Sequence, residues 1–275
     1  MTARHVVLRA LGLGSFVAAC AAAVWWHERL RPEHPRLVYL TGWCLLGLML
    51  YLTAYNLRKK LAFLPLVSSR LWLQAHIWLG LFTGLVFLLH LQSRWPAGVF
   101  ENLLALLFVG VTVSGLLGWG LSRTLPARLT AVGGEVPFEH IPVIRRSLRE
   151  RAEGLVVGGI AEARAATLAD FYTARLAGFF AAPANFRAHL FASRRPLNHL
   201  LEQLVEVKRF LGPEEKRRLD ELALLVRQKD ATDLHRTTQL LLKGWLFVHI
   251  PLTYGLLLFS FVHVVLVYAY SGGAR

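Results

Sequence analysis

Five long stretches of the chain are dominated by apolar residues. They cover residues 6–26, 37–55, 71–91, 99–121 and 244–270. A helix needs about 20 consecutive apolar residues to cross the hydrocarbon core of a bilayer. The pattern therefore predicts an all-α membrane protein with five transmembrane helices.

A polar section, residues 122–243, separates the fourth apolar stretch from the fifth. It holds 20 of the 31 basic residues and 14 of the 17 acidic residues of the chain. We therefore expect three segments, in which 1–121 contains helices one to four, 122–243 is an inserted polar domain, and 244–275 is the fifth helix with a short tail.

The insert is expected to be mostly helical. Apolar residues three to four positions apart predict helices near 138–156, 159–177 and 198–211. Pro213, followed by two glutamates, is typical of a further helix start. Residues 125–142 contain Gly133-Gly134 and three prolines and predict a loop or hairpin. From Asp233 a helical pattern continues into the last apolar stretch.

Basic residues flank the apolar stretches unevenly. Arg and Lys before the first stretch, between the second and third, and throughout the insert place these segments in the cytoplasm, with the C-terminus outside. This interpretation fits a bacterial inner membrane. The net charge of +14 is explained by loops facing anionic lipid, so nucleic acid is not an expected partner.

The first apolar stretch also resembles a cleaved secretory signal. Val17-Ala18-Ala19-Cys20 is similar to a lipoprotein cleavage box. The apolar run continues to Trp26, which favours an uncleaved helix. Cys20 and Cys44 are the two cysteines, too few for a thiolate-held iron–sulfur cluster, a four-thiolate zinc site or a disulfide framework.

Four histidines in the apolar stretches have matched spacing. His76 and His90 are 14 residues apart in the third stretch, and His249 and His263 are 14 apart in the fifth. Fourteen helical residues return to within about 40° of the same face and rise about 21 Å. Each helix therefore presents two imidazoles on one face at two depths.

The register of the two helices also matches. His76 lies six residues after Arg70, and His249 lies six residues after Lys243. One span separates the two helices, so they run in the same direction through the membrane. We therefore expect His76 to face His249 near the cytoplasmic side, and His90 to face His263 near the outer side.

Facing imidazoles at two depths are typical ligands of two b-type haems. One imidazole on each axial face leaves no open iron position, which favours electron transfer. Structural histidines or a proton relay are the alternatives, since ionisable residues inside membranes are functional candidates in general. Zinc fits poorly, because each depth offers two histidines and no nearby carboxylate or thiolate.

Other residues support the haem hypothesis weakly. Gly80 and Gly84 could clear a groove for a flat ring or serve helix packing. Arg70, Arg94 and Lys243 could pair with haem propionates, or could be ordinary charges at helix ends.

The two His-x13-His helices resemble the dihaem membrane cytochromes b. They are similar to the cores of the respiratory cytochrome b of bc complexes and of the ferric-reductase and NADPH-oxidase transmembrane domain, with a four-helix haem-binding bundle. The resemblance implies that His76, His90, His249 and His263 are axial ligands of two haem b groups. The chain lacks a Gly-rich dinucleotide fingerprint and the Pro-Glu-Trp-Tyr quinol motif, and the insert matches neither family.

The expected function is transmembrane electron transfer, as a subunit of a respiratory or quinone-linked oxidoreductase. Expected partners are membrane lipid and electron-transfer subunits such as cytochrome c, an iron–sulfur protein or a molybdoenzyme, with quinone as a further cofactor. Asp230, Asp233 and His235 could exchange protons with a quinone, or could be a solvated helix start. The alternatives are a ferric or metal-chelate reductase component and a haem-free protein with a histidine proton relay.

Overall fold

A computed structural model describes most of the chain. The backbone is described for residues 3–32, 36–60, 68–92, 94–130, 136–160 and 166–271. Within these ranges, side chains are described except at residues 3–11, 56–60, 69–70, 126–130, 159–160, 166 and 271.

The described residues form helices and their connections, with no strand among them. A 3-10 turn, Phe138–His140, precedes α5, and a π-helical turn, Tyr172–Leu176, joins α6 to α7. The ten α-helices are α1 (Ala3–Leu30), α2 (Leu37–Lys60), α3 (Ser69–His90), α4 (Val99–Thr130), α5 (Ile141–Ile160), α6 (Ala166–Phe171), α7 (Ala177–Ala181), α8 (Phe186–Leu190), α9 (Arg195–Lys208) and α10 (Pro213–Ser271).

Four helices are long and apolar enough to cross a membrane by length and composition. The segments are Leu37–Tyr55, Leu71–His90, Val99–Leu125 and a part of Pro213–Tyr270. The all-helical prediction is therefore confirmed for the described residues, and the length and composition of these four helices are consistent with a membrane protein. The first predicted span falls within α1, and its crossing of the membrane stays a prediction.

The chain divides into two compact units. The first contains Met1–Gly120 and Trp245–Arg275, and the second contains Leu121–Gly244. The predicted segment boundaries, at 121/122 and 243/244, lie one residue from these divisions.

The first unit is built around one apolar core shared by α2, α3, α4 and α10. Phe87 of α3 stacks on Phe108 of α4 with ring centroids 3.9 Å apart. α1 packs against α3, where Phe16 contacts Trp78. The buried core residues are Leu45, Leu46, Met49, Val86, Phe87, Ala105, Phe108, Leu256 and Leu257.

The second unit has its own apolar core, formed by α5, α6, α7, α9 and α10. Tyr172, Leu176 and Phe180 fill its centre from the π-turn and α7. α9 is amphipathic, because Leu204 and its apolar neighbours lie on one stripe facing this core. Hydrophobic burial of this stripe, rather than helix propensity, stabilises the predicted 198–211 helix in its observed range.

One prediction about the insert needs correction. Residues 125–142 are not a loop throughout, because α4 continues to Thr130 and the turn at Phe138 already begins the next helical segment. The helix start at Pro213 is confirmed, and the helical pattern predicted from Asp233 belongs to the same helix, which ends at Ser271. Residues 131–135 lie outside the described part of the chain.

Candidate functional site

The four spaced histidines lie on two helices of the first unit. His76 and His90 belong to α3, and His249 and His263 belong to α10. The 14-residue spacing in each helix places two imidazoles about 21 Å apart along its axis. All four are partly buried.

The structure brings these histidines together in the predicted pairs. The His76 ring lies within electrostatic range of the His249 ring, and the His90 ring lies within range of the His263 ring. His76 therefore lies near His249, and His90 lies near His263, between α3 and α10. Metal ligation by these pairs stays a prediction.

The ring of His90 is oriented by α2. Its Nδ1 lies 3.2 Å from the carbonyl oxygen of Val38 and 3.2 Å from Oγ1 of Thr41. A carbonyl oxygen only accepts hydrogen bonds, so the proton of this contact belongs to Nδ1. The Thr41 hydroxyl itself donates to Val38. Nε2 of the neutral ring therefore carries the lone pair, which is the form that binds a metal.

The ring of His249 is oriented by α4. Its Nδ1 lies 3.2 Å from Oγ of Ser114. The Trp245 indole stacks on the imidazole with centroids 5.3 Å apart and an interplanar angle of 23°, and donates from Nε1 to the Ser114 carbonyl at 2.8 Å. Both oriented histidines are thus engaged through Nδ1, which leaves Nε2 available in each pair.

The other two imidazoles have aromatic neighbours. The His76 ring lies 5.2 Å from the Tyr55 ring and interacts with the backbone of Leu52 in α2. The His263 ring stacks on Phe100 with centroids 6.4 Å apart.

A cavity of about 370 Å³ lies at the His90–His263 pair. Pockets for small molecules and cofactors commonly measure about 300–1,000 Å³ and are mostly apolar. Both histidines line this cavity. Apolar side chains of the shared core form most of its wall, including Leu45, Met49, Phe87, Phe108 and Leu256.

Several polar or aromatic residues of the cavity wall were missed in the sequence. Trp43 donates to the Tyr268 hydroxyl at 3.0 Å, and the Tyr39 ring packs edge-on against Tyr268. Glu101 also lines the cavity. Hydropathy does not indicate which side chains of separate helices meet, and only the folded arrangement of α2, α4 and α10 shows that these residues lie at one site.

Glycines make room beside the histidines. A Cβ added at Gly42 would lie 3.1 Å from Cε1 of His90, and one at Gly115 would lie 3.8 Å from Cε1 of His249. A Cβ at Gly118 would overlap the Trp245 ring. At Gly80 and Gly84 a Cβ would meet nothing within 4 Å, so these two glycines do not serve close helix packing. Open space beside them favours the predicted groove.

The three basic residues predicted to bind propionates have separate fates. Arg70 lies in the first turn of α3, and its side chain is outside the described residues. Arg94 is exposed in the loop after α3 and is not among the described residues that line the cavity. The ammonium of Lys243 lies 3.7 Å from the centroid of the Phe138 ring, within the second unit.

Asp230, Asp233 and His235 do not form a solvated helix start. They lie well inside α10, and Asp233 and His235 are 1% and 2% exposed. Asp233 accepts from Nζ of the fully buried Lys229 at 2.5 Å and from the backbone of Ala184 at 2.8 Å. The physical reason for the error is that Lys229, one helical turn earlier, neutralises Asp233 and lets both be buried.

The two histidine pairs are suited to haem. Among the described residues, no three His, Cys, Asp or Glu side chains come together as a metal site. A metal bound here by two imidazoles needs other donors, and the four nitrogens of a porphyrin supply them. The open space beside Gly80 and Gly84 and the apolar cavity at His90 and His263 fit such a group.

The chain was compared with protein-family models, curated proteins and solved structures. None of the three comparisons gave a match.

Proposed function

We propose that this chain carries electrons across a membrane through two b-type haems, one held by His76 and His249 and the other by His90 and His263. The observation that supports this most directly is the pairing of the four imidazoles at two depths between α3 and α10. The two depths are about 21 Å apart along the helices. Planar rings around the two centres would shorten the edge-to-edge gap and permit transfer between them.

The protein contributes ligation, orientation and exclusion of water. Bound haem supplies reversible one-electron chemistry at iron. Two imidazoles on each iron leave no open position, which favours electron transfer over oxygen binding. Val38 and Ser114 fix the rings of His90 and His249 from the side opposite the ligating nitrogen. Such outer contacts set ligand direction and basicity.

The proposal extends to the setting of the chain. We infer five spans including α1, the insert on the cytoplasmic side, and electron exchange with quinone or with partner subunits. The basic flanks support this sidedness.

A spectrum and a haem count test the function. Purified full-length protein should show the reduced α-band of b-type haem and two haems per chain. Replacing any one of the four histidines by Ala should remove one haem. His199→Ala is the matched control, because His199 is exposed in α9. Protein that has been supplied with excess haem and still shows no α-band would reject the cytochrome function.

Double variants test the pairing. His76→Ala with His249→Ala should remove only one haem, because both residues serve the same iron. His76→Ala with His90→Ala should remove both. If the first variant loses both haems and the second variant loses one, the ligands are paired along each helix and not between helices. Four single variants that all retain two haems would refute the ligand assignment.

A further inference from the structure

A stretch of the insert is devoid of acidic residues. Residues 171–201 contain four arginines and no Asp or Glu, although the insert holds 14 of the 17 acidic residues of the chain. Its arginines have no carboxylate nearby in sequence to offset them. The stretch includes α8 and the start of α9.

α8 and the residues that follow it expose aromatic and basic side chains. Phe191 is 78% exposed and Phe186 is 49% exposed. Arg187, Arg194 and Arg195 are also exposed. We call these five residues the 186–195 surface. The second unit leaves these two rings largely uncovered beside three arginines, and exposed apolar surface rimmed by polar residues is typical of an interaction site.

α8 is anchored to the unit through His189 and Asn185. Nε2 of His189, which is buried, lies 3.4 Å from Oδ1 of Asp230, and the side-chain amide of Asn185 donates to the same oxygen at 3.1 Å. Asn185 and Ala192, which flank the helix, have left-handed φ angles of 59° and 54°. A side chain other than glycine adopts this conformation at a cost. The unit therefore holds the 186–195 surface in a defined shape.

We propose that the 186–195 surface docks on an anionic lipid bilayer. Arginines near an acidic membrane are attracted to lipid phosphates, and aromatic rings beside them enter the boundary between headgroups and acyl chains. Both components are exposed within ten residues of sequence, in a stretch, residues 171–201, that contains no Asp or Glu. The first unit contains helices apolar enough to cross a membrane, which keeps lipid at high local concentration. The four paired histidines take no part in this surface.

The depth of a spin label next to Phe191 tests the docking. The full-length chain would carry Ala192→Cys as its labelled position, with Cys20→Ser and Cys44→Ser removing the native thiols. The label is compared in phosphatidylcholine vesicles, in vesicles that also contain phosphatidylglycerol, and in a neutral detergent. Collision with oxygen reports burial in lipid, and collision with a soluble nickel chelate reports exposure to water.

Docking should appear only with phosphatidylglycerol and should depend on the named side chains. Arg187→Gln, Arg194→Gln and Arg195→Gln together should lower the ratio of docked to undocked label about a hundredfold, at about 1 kcal/mol per arginine. The charge-matched control replaces Arg146, Arg149 and Arg217 by Gln, because each of these forms an exposed ion pair with a glutamate. This control should keep the label docked.

Phe186→Ser with Phe191→Ser should also reduce docking, whereas Phe210→Ser, which removes another exposed ring of the insert, should not. Equal water exposure of the label in both vesicle types would overturn the proposal. A label shielded in detergent, without lipid, would assign the surface to a protein contact. Equal loss in the two triple-arginine variants would show that net charge acts, and that the 186–195 surface does not.

Discussion

Replacing Gly42 by Ala should weaken the proposed haem site at His90 and His263 without disturbing the other site. Gly42 lies on α2 directly beside the His90 ring, where a Cβ would be 3.1 Å from Cε1. Carbon atoms in favourable contact are about 3.5–4.0 Å apart. The imidazole would therefore have to move by several tenths of an ångström.

That movement would weaken the hydrogen bonding of the ring, because the contacts of Nδ1 are already at the long end of the normal distance range. Nδ1 lies 3.2 Å from both Val38 and Thr41, and a shift of several tenths away from α2 would lengthen these contacts beyond a normal hydrogen bond. Loss of an outer contact to a metal-binding histidine commonly costs about 10–100-fold in affinity. We expect a reduction of that size in haem affinity.

Haem titration of the depleted protein in detergent measures this effect. The experiment is cleanest in a His76→Ala background, which leaves the His90–His263 pair as the proposed binding site. Gly47→Ala is the matched control, because Gly47 is also on α2 and a Cβ there meets nothing within 4 Å. The control should bind haem as the background protein does.

The refuting results are specific. If Gly42→Ala binds haem as tightly as Gly47→Ala, the contact between α2 and His90 does not orient an iron ligand. If both variants lose haem equally, α2 tolerates no added methyl group, and the loss of haem reflects disturbed folding and not the contact with His90. Reduction potential offers a second measurement, because weaker donation from Nδ1 makes the imidazole a poorer electron donor to iron and should raise the potential.

Three further predictions concern the same fold. Gly118→Ala should displace the Trp245 ring from His249 and lower haem affinity at the proposed His76–His249 site. Gly110→Ala, on the same helix, adds a Cβ that meets nothing within 4 Å and should leave that affinity unchanged. Equal haem titration curves for the two variants would refute the role of Trp245. Lys229→Met should leave the buried Asp233 carboxylate without its cation and lower the free energy of local unfolding by about 3–5 kcal/mol, measured by amide exchange of residues 182, 184 and 185. Lys208→Met, in an exposed ion pair, should lower it by less than about 1 kcal/mol. Similar losses in the two variants would contradict the burial argument. Burial raises the pKa of Tyr172. Its hydroxyl therefore stays protonated in the folded state at a pH where the unfolded state has lost the proton, and the free energy of unfolding should fall as pH rises above about 10. Tyr172→Phe should remove this fall in a denaturant titration, and a fall that persists in the variant would belong to another group.

Helical periodicity predicts where the four histidines lie because they repeat at a fixed spacing on two helices. The 14-residue spacing and the equal offsets from Arg70 and Lys243 placed His76 opposite His249. This inference needed only the helical repeat and the parity of the spans. The positions of α2, α3 and α4 followed from apolar length in the same way.

Contacts between distant segments could not be predicted in this way. Val38 and His90 are 52 residues apart, and no periodic pattern states which turn of α2 meets which turn of α3. The burial of Asp233 depends on Ala184 and on Lys229, of which only Lys229 is near in sequence. Charge alone therefore predicted a solvated segment where the fold has a buried ion pair.

The two histidine pairs are alike in spacing but differ in how their rings are held. His90 is directed by a backbone carbonyl, which no substitution at Val38 removes. His249 is directed by the hydroxyl of Ser114 and the ring of Trp245, both of which depend on side-chain identity. A hydroxyl can donate or accept, so the contact with Ser114 does not decide which nitrogen of the neutral His249 ring carries the proton. The basicity of these two imidazoles is thus set by different groups, and sequence change can tune His249 more readily than His90.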